Sequence, residues 1–92
     1  MTSPTIAILK SLADETRLSI VQKLVQEGCE VASSDIVSSC ASFHQLSQPT
    51  MSHHFSLLVR SGVITERKSG TEKIYTLNHS LLTHVGIDPT RL

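Results

Sequence analysis

Ninety-two residues suffice for one domain spanning 1–92, and with 39% apolar residues but only Phe43, Phe55 and Tyr75 as aromatics, its core has to be aliphatic. Eight basic and eight acidic residues cancel, so bulk charge is excluded as the source of affinity for a polyanion, and the distribution of charge has to carry any such binding. No apolar run approaches a membrane span, the opening Met1-Thr2-Ser3-Pro4 lacks the basic and apolar regions of a secretory leader, and two cysteines fit a reducing compartment, so a cytoplasmic location with no membrane partner is expected.

Pro4 suits a first helical turn, and Ile6, Leu9 and Leu12 then form a helical stripe with Ile8 beside it. Asp14 is a good N-cap for a second helix whose apolar face is Leu18, Val21, Leu24 and Val25, supported by Ile20 and stopped by Gly28. Ser33 or Ser34 is expected to cap a short third helix carrying Ile36, Val37, Cys40 and Ala41 on one face. After a connection through residues 42–46, Ser47 caps a fourth helix with Pro49 in its first turn and Gly62 at its end. Val63–Arg67 and Lys73–Leu77 read as strands of a hairpin with its tip at Lys68–Thr71. A last short helix starts at Asn78 or Ser80, bears Leu81, Leu82 and Val85, and stops at Asp88-Pro89. The order is α-α-α-α-β-β-α, mainly helical with one small hairpin.

The fourth helix has two faces. Met51, Phe55 and Leu58 recur at the spacing that keeps one side buried. Gln48, Thr50, Ser52, His53 and Ser56 project elsewhere. A glutamine amide pairs bidentately with adenine, threonine packs on a thymine methyl or hydrogen-bonds, and histidine donates to guanine N7 or a phosphate. Ser47 belongs to the same end. His54, three residues after Met51 and four before Leu58, sits at the edge of the buried face, where a structural hydrogen bond competes with DNA contact. Two consecutive short helices followed by a hairpin make a winged helix-turn-helix, with the second helix presenting its N-terminal residues to the major groove. Residues 36–75 hold Arg60, Arg67, Lys68 and Lys73 against Glu66 and Glu72, whereas residues 1–35 are net acidic. Arg67, Lys68 and Lys73 flank the wing tip and are candidate phosphate or minor-groove contacts.

Three segments resemble the ArsR/SmtB family of small winged-helix repressors: Leu12-Ala13-Asp14-Glu15-Thr16-Arg17-Leu18-Ser19-Ile20, Ser47 through Leu58 with Gly62 and Val63, and Arg67 through Leu77. Together they frame residues 5–78. The resemblance implies a homodimer that represses transcription at an imperfect palindrome and, in many relatives, is released by an inducer. It places the dimer surface on the first and last helices, here Ile6, Leu9 and Leu12 with Leu81, Leu82 and Val85. Metal sensors of the family carry Cys-x-Cys entering the third helix, or paired acid and histidine ligands on the terminal helix. This chain has Cys29 alone in Gly28-Cys29-Glu30-Val31-Ala32, and His79 and His84 five apart near Asp88.

Cys29, Cys40 and His44 lack the ligand count of a metal site, and neither cysteine has a basic neighbour to activate it. No metal or other cofactor is expected, and no inducer is identified. There is no nucleophile motif, phosphate-binding glycine loop or His-Glu-x-x-His, so an enzyme is not expected. The neutral charge and arginine-poor fourth helix leave one rival, a winged-helix protein-interaction module that does not read DNA.

Overall fold

The computed structural model describes residues 4–39 and 41–92. Cys40, expected on the apolar face of the third helix, lies outside them. Pro4–Leu12 forms α1 and Glu15–Glu27 forms α2. The Asp14 carboxylate accepts from the Arg17 amide, and Gly28 closes α2 at φ +66° with its N–H on the Leu24 carbonyl. Val31–Ala32 is a two-residue strand, β1, followed by α3 at Ser33–Ser38. A 3-10 turn at Ala41–Gln45 leads to α4, Gln48–Ser61. Strands β2 (Ile64–Ser69) and β3 (Glu72–Leu77) make the hairpin, and α5 spans His79–His84. A final 3-10 turn occupies Pro89–Arg91.

Two features depart from the sequence reading. The sheet has three strands in the order β1-β3-β2, because Val31 and Ala32 pair antiparallel with Tyr75 and Ile74. The N-cap of α3 is Ala32, with no side-chain cap, rather than Ser33 or Ser34. Both serines are already helical, and Ser34 Oγ is spent on a hydrogen bond to Glu72 of β3.

The core lies where α1, α2, α4 and the sheet meet. Ile8, Ile20, Leu24, Ile36, Leu58 and Leu82 are each at most 1% exposed, so every helix contributes at least one fully enclosed aliphatic residue. Phe43, on the 3-10 turn, is buried as well. The long connection before α4 therefore contributes to packing. Along α1 the buried positions are Ile8 and Ser11, while Ile6 and Leu9 are 48% and 53% exposed. Of the apolar stripe read from the sequence, Ile6 and Leu9 thus face away from the core of the single chain, while Leu12 packs against it.

At the exit of α4, Gly62 adopts φ +86°. A Cβ there would stand 2.9 Å from Leu81 Cδ2, so the position needs glycine both for its backbone and for the approach of α5. Asn78 closes the junction: its side-chain amide donates to the Gly62 carbonyl, its backbone N–H donates to that of Val63, and its Oδ1 caps α5 by accepting from the Leu81 amide.

Candidate nucleic-acid interface

The outward end of α4 is built from its cap. Ser47 Oγ accepts from the Thr50 amide at 3.3 Å and lies 2.8 Å from Thr50 Oγ1. The two hydroxyls are therefore engaged with each other as well as facing solvent. Gln48, Thr50, Ser52, His53 and Ser56 are exposed, while Met51, Phe55 and Leu58 are buried. The polar and apolar faces expected of this helix are both present. Phe55 stacks on Tyr75 of β3, with ring centres 4.4 Å apart and planes 10° from parallel. That contact fixes α4 against the hairpin. Burial, followed by the Glu66 carboxylate, pushes the Tyr75 phenol up to about 12, so it stays protonated.

His54 is placed differently from its neighbours. Its side chain is 14% exposed, and Nδ1 lies 3.1 Å from Arg17 Nη1 and 3.8 Å from Asp14 Oδ2. The ring is thus held against the α1–α2 corner, on the structural side of the two alternatives. Arg17 Nε also donates to the Ser11 carbonyl at 2.7 Å. A second link joins α4 to α1, where Ser61 Oγ donates to Ser11 Oγ at 2.9 Å. Sequence reasoning missed the role of Arg17. Its only signal was membership of the Asp14-Glu15-Thr16-Arg17 segment, since its His54 partner lies 37 positions away.

In the wing, Lys68 faces Lys73 directly across the hairpin, and Gly70 turns the tip at φ +65°. The three candidate cations are not equivalent. Arg67 makes two hydrogen bonds to the Glu30 carboxylate from Nε and Nη2, the latter at 3.1 Å. The pairing lowers the Glu30 pKa and raises that of Arg67. Lys73 Nζ lies 3.6 Å from Glu66 Oε1. Lys68 is exposed and has no ion-pair partner among the described residues. Glu30 is a second residue that sequence reasoning passed over; it lies in the α2–β1 loop, far from the wing along the chain.

Between α3, the start of α4 and the hairpin lies a groove of about 940 Å³. Phe43, Met51, Phe55 and Tyr75 give it apolar walls, and Gln48, Ser52, Thr71 and Lys73 bring polar groups from both the helix and the wing. The two candidate contact elements therefore border one concave surface. Arg60, in the last turn of α4, is exposed at the opposite end of the helix.

A family model described as a helix-turn-helix domain matches residues 12–67, which run from the α1–α2 corner into the wing. The arsenical resistance operon repressor of Staphylococcus xylosus is 39% identical over 79 residues, covering 85% of this chain and 69% of that protein. The chain belongs to the ArsR/SmtB family of winged helix-turn-helix regulators. Also similar is the HTH-type transcriptional repressor SmtB of Mycobacterium tuberculosis H37Rv, 31% identical over 81 residues, 88% of this chain and 56% of that one. The crystal structure of an ArsR family transcriptional regulator superposes with a TM-score of 0.75 over 92% of this chain and 84% of that chain, at 22% identity, which speaks to the fold. As an ArsR/SmtB-type protein the chain is a DNA-binding transcriptional regulator, and this favours DNA reading over the interaction-module alternative.

Of the residues expected at an ArsR/SmtB-type dimer surface, Ile6 and Leu9 are exposed, and Leu12, Leu81 and Val85 are half-buried. Leu82 is 0% exposed. It serves the core of the single chain and is not available to a partner, because the α5 backbone turns it inward against the packed helices. Cys29 is an exposed free thiol. Among the described residues, no group of three or more His, Cys, Asp or Glu is placed to hold a metal ion, and no helix is long and apolar enough to cross a membrane.

Proposed function

We propose that the protein is a homodimeric repressor of the cytoplasm, not an enzyme, that occupies a palindromic promoter site. Gln48, Thr50, Ser52 and His53 of α4 read base edges, Ser47 caps and steadies that end, and Lys68 anchors the wing on phosphate with Lys73 and Arg67 beside it. His54 acts from behind the helix. The observation that carries the reading is the exposed polar end of α4, backed by the buried Met51, Phe55 and Leu58 and pinned to the wing by the Phe55–Tyr75 stack. Homodimerisation is supported by Ile6 and Leu9, the large hydrophobic side chains left exposed on α1. Two copies of α4 related by a two-fold axis would enter successive major grooves about 34 Å apart. An inducer is not assigned.

Footprinting on promoter DNA tests this. A protected palindrome at moderate salt is the expected result. Gln48→Ala should weaken binding by about 1–3 kcal/mol and relax the preference at one base pair per half-site. His53→Ala should also weaken it. Thermal melts should stay unchanged, since both side chains are exposed. No protected site, together with no effect of the paired substitutions, would sink the proposal.

A further inference from the structure

The recognition helix is tied to the rest of the chain by a polar contact whose geometry admits one protonation state. Arg17 Nη1 sits 3.1 Å from His54 Nδ1. A guanidinium has donors only, so Nδ1 has to be the acceptor and the neutral imidazole carries its one proton on Nε2. The same guanidinium donates through Nε to the Ser11 carbonyl at 2.7 Å and through Nη2 to the Lys10 carbonyl at 3.5 Å. Arg17 therefore caps the C-terminal end of α1, sits in the first turn of α2 and holds the middle of α4.

We propose that Arg17 is a positioning residue for DNA recognition, holding α4 through an unprotonated His54 Nδ1, so that acidification releases this hold and weakens operator binding.

A doubly protonated imidazole has no lone pair for Arg17 and sets two cations against each other. The neighbouring acceptor is Asp14 Oδ2, 3.8 Å from Nδ1. It already accepts the Arg17 amide at 3.0 Å as the cap of α2. A proton on Nδ1 thus exchanges one partner for another: the ring turns toward Asp14 and the guanidinium loses its contact with α4. The groups facing the ring are Asp14 and Arg17 from α2 and His53 from its own helix, whose ring centre is 6.2 Å away, while α1 meets the cluster with the carbonyls of Lys10 and Ser11. Asp14 favours the charged ring. Burial, Arg17 and His53 oppose it, and burial is the largest influence, so the pKa of His54 is lowered. The ring is one residue from the exposed His53 and two from Ser52, so a change in its seating is transmitted directly to the side chains that meet DNA.

The inference rests on α4 being the base-reading helix, and the test separates the two. A DNA duplex is selected from a random-sequence pool with the wild-type protein at about pH 8, and its affinity is followed down to about pH 5.5 for wild type, His54→Gln and Arg17→Gln. A glutamine at 54 keeps an acceptor for Arg17 but does not titrate, and all other titrating groups remain, so the difference between profiles reports His54. Wild type should lose about threefold or more in affinity relative to His54→Gln across that window, and Arg17→Gln, lacking the cation, should show a smaller acid loss than wild type. Coincident wild-type and His54→Gln profiles overturn the inference alone. No enriched duplex overturns the base-reading assignment, and the inference with it. Ring nitrogen NMR of the wild-type protein at about pH 8 provides a readout without substitutions: a bare Nδ1 on His54 supports the contact, and a protonated Nδ1 overturns it.

Discussion

Adjacent histidines do different work in this chain. His53 points to solvent and His54 points to the α1–α2 corner, a division set by the turn of the helix rather than by residue type. Because folding lowers the pKa of His54, chiefly through burial, the unfolded chain binds the proton more readily. Stability is therefore unaffected by this group above its unfolded pKa of about 6.5 and falls as pH drops below it, until the folded-state ring also protonates. Asp14, held low mainly by the Arg17 amide, adds a second loss below about pH 4. Urea midpoints should decline between about pH 6.5 and 5, and His54→Gln should flatten that decline. Gly62 is the other residue with little freedom. Gly62→Ala combines φ +86° with a contact of 2.9 Å to Leu81. It should lower stability by about 1–3 kcal/mol in equilibrium unfolding, with Leu81 and the α5 packing bearing the strain.

Among the elements, α4 was the most legible in the sequence, because its signals are local. Ser47, Pro49, Gly62 and the Met51–Phe55–Leu58 spacing specify its start, its end and its buried face without reference to the rest of the chain. The hairpin was legible for the same reason. Strand β1 was not: two residues cannot display a period of two, and Val31–Ala32 is a strand only because β3 lies beside it. The choice of α3 cap went astray because Ser34 bonds Glu72, 38 positions later. The Arg67–Glu30 pair, 37 positions apart, escaped for the same reason. That pair bears on the wing. An arginine already bonded to a carboxylate has to give up that partner to meet a phosphate. Glu30→Gln should therefore tighten operator binding and steepen the salt dependence by about one counterion per added phosphate contact. A binding titration across salt concentrations checks this, and an unchanged slope would mean that DNA does not reach Arg67.

For the whole molecule, neutral net charge and the exposed Ile6 and Leu9 of α1 both support the homodimer proposed above. Among the described residues one chain offers few unpaired cations, so the proposed homodimer would double its contacts with DNA by symmetry, with the exposed Ile6 and Leu9 as its seam. Because each side chain is already about half buried, covering the rest would contribute about 1 kcal/mol apiece, counted twice across a two-fold axis. Leu9→Glu should shift the protein to monomer in sedimentation velocity and lower operator affinity, with the fold of each chain kept because Leu9 is 53% exposed. This surface was readable as a helical stripe, but which way it faced was not, since Ile8 and Ser11 share the same helical spacing on the other side.

The short third strand also divides the wing mechanically. β1 pairs only with Tyr75 and Ile74, so beyond them the hairpin runs out to Lys68, Gly70 and Lys73 as two strands, tied to α3 through the Ser34–Glu72 hydrogen bond. An isolated two-stranded ribbon is marginally stable in water, and the Ser34–Glu72 contact supports this one near its tip. The wing accordingly has a root clamped by three strands and the Phe55–Tyr75 stack, and an outer part, fastened to α3 at Glu72, that carries two facing lysines. If the wing meets a DNA backbone as proposed, this root would set the distance from its two lysines to the recognition helix.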